Sequence, residues 1–410
     1  MDLMPILSTL RRHKTAAALI VLEIALTCTI VCNALHLISQ RVAVLNNDLG
    51  IPESELLVVD LRGLTKVDST DTDAGTQRDL AALRALPGVR TAMIVNQVPY
   101  GGNNNSSGVS LSQDEQAQRI EASQYESSEG MIKGLDLKLV EGRDFEPQEM
   151  LNGSAFQGNS EGVNMPAVII TRTLAKRLFP NESAVGKQVF VFGDKPQTVV
   201  GVLERLSPPS PARFTGDDGN VSMLLPLRPS YAGGSYVIRV ESSQREAMLQ
   251  KVVATLEQQD ANRVVIRQRL LSDMREEYYK QDRMMVWLLG GVCLALLVVT
   301  ALGIVGLASF WVQQRTRMIG TRRALGATRG QILRYFQAEN FLLSSAGIVL
   351  GVVGALGLSA VLMRNAEIAG LPWSYLPVGA LTLYLLGQLA VLAPARRAAA
   401  LPPVAALRGN

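Results

Sequence analysis

The chain has 410 residues, 48% of them hydrophobic, with 40 Lys and Arg against 36 Asp and Glu and a net charge of +4. Two histidines and three cysteines supply too few soft ligands for a zinc or redox centre, and Cys28 and Cys32 stand one helical turn apart rather than at metal or disulfide-exchange spacing. The basic excess lies beside apolar runs, where membrane topology and anionic lipid account for it, so lipid is an expected partner and nucleic acid is not.

A hydrocarbon core of about 30 Å needs about 20 residues of helix to cross it. Residues 1–15 form a basic tail with Arg11, Arg12 and Lys14, followed by the first predicted span, 16–37, which has no cleavage pattern behind it and reads as a retained anchor. Residues 38–283 have ordinary globular composition and form one large looped-out domain. Two further spans follow at 284–311 and 341–363, separated by the loop 312–340. A shorter span at 376–392, bounded by Pro377 and Pro394, leads to the tail 393–410. The two tails and the loop 312–340 together hold 12 basic residues against Asp2 and Glu339. Positive charge flanking spans stays in the cytoplasm, which places both termini inside and the large domain outside.

The outer domain reads as mixed α/β. LLVVDL at Leu56–Leu61 is a short unbroken apolar run and predicts a buried strand, and helical spacing over Gln77–Leu86 stops at Pro87 and Gly88. Strands are predicted at 89–98, 119–127, 165–170, 188–192, 197–203 and 236–240. Helices are predicted at 128–133, 171–179, 244–258 and 270–283, the last running without a breaker into the second span as one rod of about 60 Å at about 1.5 Å per residue. Residues 146–164 and 207–220 read as loops, the second carrying the adjacent, solvated Asp217 and Asp218.

The loop 313–340, QQRTRMIGTRRALGATRGQILRYFQAEN, is far longer than a connector between two spans requires. Over Arg322–Phe336, Ala324, Leu325, Ile332, Leu333 and Phe336 have the spacing of an interrupted amphipathic helix that Gly326 and Gly330 break or bend. Inside the spans, Glu23 is an ionisable group in hydrocarbon that either pairs across helices or titrates. Gly347, Gly351, Gly354 and Gly357 form a smooth stripe on the third span for close helix contact, within the chain or between copies. No phosphate-binding glycine loop occurs in the 410 residues, the nearest segment, Val185-Gly186-Lys187-Gln188, lacking both the first glycine and the hydroxyl. With no serine elbow and histidines only at span edges, no catalytic residue is assigned.

RTRMIGTRRALGATRGQILRYFQAEN resembles the signature of the FtsX-like permeases, in particular the MacB-type subunits of ABC transporters. LPGV at 86–89, LVEGRDF at 139–145, VIITRTLAKRLFP at 168–180, VGKQV at 185–189 and the tail APARRAAALPPVAALR at 393–408 resemble the same family in order and spacing, so the likeness covers nearly the whole chain. It implies a four-span α-helical membrane protein of the bacterial inner membrane with an inserted extracytoplasmic α/β (α+β) domain. It further implies a dimer with a second permease copy or a homologous permease, and a cytoplasmic coupling helix docked on a separate ATPase subunit that holds the ATP and Mg. A periplasmic adaptor and an outer-membrane channel are possible partners by resemblance alone. Work in this family is mechanotransmission: hydrolysis inside moves the outer domains.

Carried onto this sequence, the coupling loop comprises Arg315, Arg317, Gly320, Arg322, Arg323, Ala324, Leu325, Gly326, Ala327 and Glu339. Met318 departs from the family, which often has an acidic residue there. The expected chain is a non-catalytic permease subunit exporting or extracting an envelope substrate. The alternatives are an FtsX-like regulator of a cell-wall hydrolase and a membrane sensor without an ATPase.

Overall fold

Hydrocarbon offers a peptide group no partner, so each apolar run must close its own hydrogen bonds as helix. In the computed structural model of the chain four helices are long and apolar enough to cross a membrane. The structure describes residues 14–65, 68–114, 118–156, 165–192, 195–211, 220–366 and 370–400. These fall into two units, Met1–Leu45 with Gln281–Asn410, and Asn46–Lys280. Asp217, Asp218, most of the predicted loop 207–220, the second half of 146–164 and most of both tails lie outside the described residues.

The chain opens with α1 (Lys14–Leu45), which continues eight residues beyond the predicted end of the first span. The outer unit then runs β1 (Leu56–Gly63), α2 (Ser69–Arg84), β2 (Val89–Val95), β3 (Ser106–Val109), β4 (Ile120–Glu126), α3 (Met131–Gly134), β5 (Leu139–Gly142), β6 (Leu151–Asn152), β7 (Ala167–Thr171) and α4 (Arg172–Leu178). It continues with β8 (Gln188–Val189), β9 (Gln197–Leu203), β10 (Ser222–Leu225), β11 (Leu227–Arg228), β12 (Ser235–Val240), α5 (Arg245–Gln259), β13 (Arg263–Leu270) and α6 (Leu271–Tyr278).

Two sheets organise this unit. The first has the order β13-β1-β12-β2 and is antiparallel throughout. Leu57, Val59 and Leu61 of β1 point into one core with Leu80 and Leu83 of α2 and Val252 and Leu256 of α5. The second sheet is mixed, with the order β3-β4-β10-β7-β9-β5 and β8 paired to β9. Its core gathers Val168 and Ile170 of β7, Leu174 of α4, Val199 and Val202 of β9, and Met223 of β10. The sheets are stitched where β2 passes β4: Asn96 N–H donates to the Glu126 carbonyl at 3.1 Å, and Asn96 Nδ2 and Gln97 Nε2 both donate to the Gln124 carbonyl.

A buried ion pair closes the first sheet. Asp79 of α2 is fully buried, accepts both Nη atoms of Arg263 at 2.6 and 2.9 Å, and takes the Tyr236 hydroxyl at 2.5 Å. Burial and the neighbouring Asp79 carboxylate push the Tyr236 phenol above its ordinary range. The Arg263 guanidinium also lies 4.7 Å from the ring centroid of Tyr231.

The predicted rod over 270–283 does not form. Leu270 ends β13, α6 stops at Tyr278, and Tyr279 stands outside helix at φ −91°, ψ 5° before α7 (Lys280–Gln314) begins. Tyr279 is buried and edge-packed on Tyr278 and Tyr100, so aromatic packing ends the helix where the sequence carries no proline or glycine. The remaining helices are α8 (Thr316–Ala324), α9 (Arg329–Ala366) and α10 (Tyr375–Ala400). The loop 312–340 is therefore mostly helical, and α9 joins its second half to the third span. Pro394 does not end the fourth span but sits within α10.

Replacing Arg263 with Met leaves the Asp79 carboxylate buried without its ion-pair partner and is expected to destabilise the outer unit by about 3–5 kcal/mol. Thermal unfolding of the full chain in detergent, followed by far-ultraviolet circular dichroism, reads this as an earlier melting step. An unshifted melting curve contradicts it.

Candidate coupling turn and helix seams

Three of the four stripe glycines let α9 lie directly on α1. A Cβ added to Gly347 would sit 2.7 Å from Ile24 Cβ, one on Gly351 would collide with Cys28, and one on Gly354 would sit 2.5 Å from Thr29 Oγ1. The close approach brings polar groups into reach: Thr29 Oγ1 donates to the Gly351 carbonyl at 3.0 Å and Asn33 Nδ2 to the Ala355 carbonyl at 3.1 Å. Polar side chains in hydrocarbon are satisfied across helices in this way. The stripe thus serves contact within the chain. Gly357 does not belong to it, since nothing stands within 4 Å of its Cβ position. At about 100° per residue, Gly357 has rotated off the face that Gly347 to Gly354 share.

The other seams are built similarly. Gly379 of α10 faces Cys32 of α1, and Tyr384 Oη donates to Ser345 Oγ of α9 at 2.7 Å. Between α1 and α7 the Thr27 and Thr300 hydroxyls meet at 2.8 Å, and Arg41 pairs with Asp282 at 2.6 Å. Glu23 lies one turn from Thr27, its carboxylate against the bare backbone of Gly303, where an added Cβ would come within 2.6 Å of Oε2. Among the described residues no group donates a hydrogen bond to Glu23, so the structure gives it a packing partner rather than the cross-helix bond that one sequence reading required.

The turn between α8 and α9 is defined by its backbone. Gly326 adopts φ +98°, its N–H reaches the Arg323 carbonyl and Ala327 N–H reaches Arg322, the paired bonds of a Schellman stop. Thr328 then caps α9: its N–H donates to Gln331 Oε1 at 2.9 Å, and Gln331 N–H returns to Thr328 Oγ1 at 3.3 Å. Gly330 falls inside α9 rather than breaking it. Only one of the two predicted glycine breaks is real.

The structure sorts the predicted loop residues by face. Ile319 and Gly320 are buried in the helical unit, while Arg317, Met318, Arg322, Ala324, Leu325 and Gly326 are exposed and Arg323 and Ala327 are half-buried. Leu325 is 83% exposed beside this basic surface. Arg322 lies over the Tyr335 ring at 5.0 Å, and Arg323 Nη1 donates to the Ala399 carbonyl of α10 at 2.6 Å. Arg315 and Glu339 do not belong to the exposed surface. They are 8% and 1% exposed and pair with each other at 2.8 Å.

Four span helices carrying one large α/β unit between the first and second define an integral membrane protein of permease architecture. Residues 24–265 match the model of the MacB-like periplasmic core domain, and residues 290–403 match the model of the FtsX-like permease C-terminal domain. The chain belongs to the MacB-like and FtsX-like family of ABC transporter permeases. It is 33% identical over 266 residues to the macrolide export ATP-binding/permease protein MacB of Rhodospirillum rubrum, covering 62% of this chain and 40% of that protein. It is 26% identical over 346 residues to the uncharacterized ABC transporter permease YknZ of Bacillus subtilis, covering 81% of this chain and 79% of that protein. The chain therefore spans well under half the length of the MacB relative. Among solved structures, the extracellular domain of YknZ from Gram-positive bacteria aligns at a TM-score of 0.32 and 16% identity, over 51% of this chain and all of that domain. The periplasmic region of MacB from Actinobacillus actinomycetemcomitans aligns at 0.33 and 14% identity, over 57% of this chain and 96% of that region.

Adding a branched side chain to the α1–α9 seam is expected to cost about 1–3 kcal/mol, as overpacking does. Gly351→Val should lower the thermal stability of the detergent-solubilised protein, read by fluorescence-detected size-exclusion chromatography, while Gly357→Val should leave it unchanged. Equal loss in both variants would place the contact elsewhere.

Proposed function

We propose that this chain is the non-catalytic membrane subunit of a transport machine, with the α8 turn as the docking element for an ATPase that lies outside these 410 residues and holds the ATP and Mg. The observation that carries the reading is the exposed face of α8. Arg317, Met318, Arg322 and Leu325 face outward together, at a turn whose backbone is fixed on both sides. An apolar tip ringed by arginines, held rigid by a Schellman stop and a capping box, is suited to insertion into a partner's groove.

The clustering of arginine around α8 and the termini supports an orientation with that side in the cytoplasm and the outer unit beyond the inner membrane. ATP-driven displacement of α8 would then move the outer unit by mechanotransmission, without the chain performing chemistry. The relatives are named as a joint ATP-binding/permease protein or as an ABC transporter permease alone, which supports an engine of this type. A second permease copy completes the machine in this reading, and the cargo is an amphiphile of the envelope, exported or extracted. A periplasmic adaptor and an outer-membrane channel are further partners compatible with it.

Affinity purification of the tagged full chain in mild detergent, with mass-spectrometric identification of stoichiometric partners, tests the docking role. Wild-type protein should bring down an ATPase with a phosphate-binding loop. Leu325→Asp and Arg322→Glu should each reduce its yield about ten-fold or more, the loss typical of a central contact residue, with normal membrane insertion. Wild-type yields from both variants, or a homodimer without an ATPase, would remove the reading.

A further inference from the structure

Arg315 occupies the corner between α7 and α8, outside helix at φ −103°, ψ 10°. Its N–H donates to the Trp311 carbonyl of α7 at 3.1 Å, and its own carbonyl accepts the Ile319 N–H of α8 at 2.9 Å. Its side chain crosses to a third helix, where Nη1 donates to both carboxylate oxygens of Glu339 at 3.0 and 2.8 Å, ten residues into α9. One residue therefore ties the end of α7, the start of α8 and the body of α9. The Trp311 ring centroid stands 5.3 Å from the guanidinium carbon and covers it.

Burial sets the character of this joint. Two charges removed from water contribute little net stability when paired, yet either one left alone is strongly penalised, so a buried pair holds one geometry and resists partial loosening. A cavity of ≈ 20 Å³ adjoins the pair, lined by Trp311, Phe336, Glu339 and Asn340 among others. Trp311 Nε1, Arg315 Nη2 and Asn340 Nδ2 find no acceptor among the described residues.

We propose that Arg315 and Glu339 are positioning residues that fix α8 to α7 and α9 as a single joint, so that a push on α8 reaches two span helices together. This deepens, and rests on, the docking role assigned to α8 above. In this arrangement the arginines of the segment divide their labour: Arg317 and Arg322 face outward to a partner, and Arg315 faces inward to hold the helix that presents them.

The test uses the full chain in lipid nanodiscs and reads tryptic cleavage after Arg317, Arg322 and Arg329 by mass spectrometry, which reports how often the α8 segment opens. Glu339→Gln and Arg315→Met should each be cleaved about ten-fold or more faster than wild type, because an unpaired buried charge or orphaned partner favours the open segment. The exchange Arg315→Glu with Glu339→Arg should return cleavage close to the wild-type rate, a rescue that loss of packing alone would not give. Arg315→Lys, which keeps the charge and gives up the planar fork, should fall between and serves if the stronger variants are degraded before purification. Wild-type cleavage in the single variants, or an exchange variant cleaved as fast as they are, overturns the joint. ATPase capture is measured on the same samples: if the wild-type chain captures none, the docking reading falls, and the joint is decided by cleavage alone.

Discussion

The helical unit depends on how closely α9 approaches α1. Thr29 and Asn33 have short side chains, and they reach the carbonyls of Gly351 and Ala355 only because Gly347, Gly351 and Gly354 present bare backbone. The hydrophobic effect offers no attraction between helices already in hydrocarbon, so shape and these buried hydrogen bonds must hold the pair. Larger side chains at the glycines would separate the helices and leave the two polar groups only the Ala25 and Thr29 carbonyls of their own helix. Contact with α10 follows the same logic on the next turn of α1, where Cys32 lies against Gly379. The seam with α7 is more polar: two threonine hydroxyls, a carboxylate on a glycine and an ion pair at Arg41 are spread along it.

The docking role proposed for α8 joins two demands that usually conflict. A docking element must expose apolar surface, and an element that carries movement must be rigid. Here rigidity comes from below, through Ile319 and Gly320 in the core, Arg323 on the end of α10, and the bonded turn from Arg322 to Gln331. Exposure is confined to the opposite face, where Leu325 stands clear.

Much of this was legible in the residues, and the misreadings have specific physical causes. Unbroken apolar runs announced β1, β7 and β9, and length alone announced the four spans. Strand β13 escapes the sequence pattern because its pairing with β1 slips at Asp60 and Leu61, so RVVIRQRL does not alternate as a regular strand does. Gly330 predicts a break or bend, yet in the first turn behind a capping threonine a glycine costs only about 1 kcal/mol. The sequence Thr328-x-x-Gln331 carried the correct signal. The Arg315–Glu339 pair spans 24 residues and three helices, which no local pattern reports. The break at Tyr279 depends on the Tyr100 ring from a distant loop and is likewise a tertiary event.

All three cysteines of the chain lie in the helical unit and are buried, and the outer unit contains none. Cys28 and Cys32, 4.0 Å apart through their sulfurs, are fully enclosed where α1 meets α9 and α10. A reagent dissolved in water can reach those thiols only while the helices part. The native protein thus carries its own chemical clock: the rate at which Cys28 and Cys32 are alkylated measures how often the bundle opens, with no label introduced and no background from the outer unit.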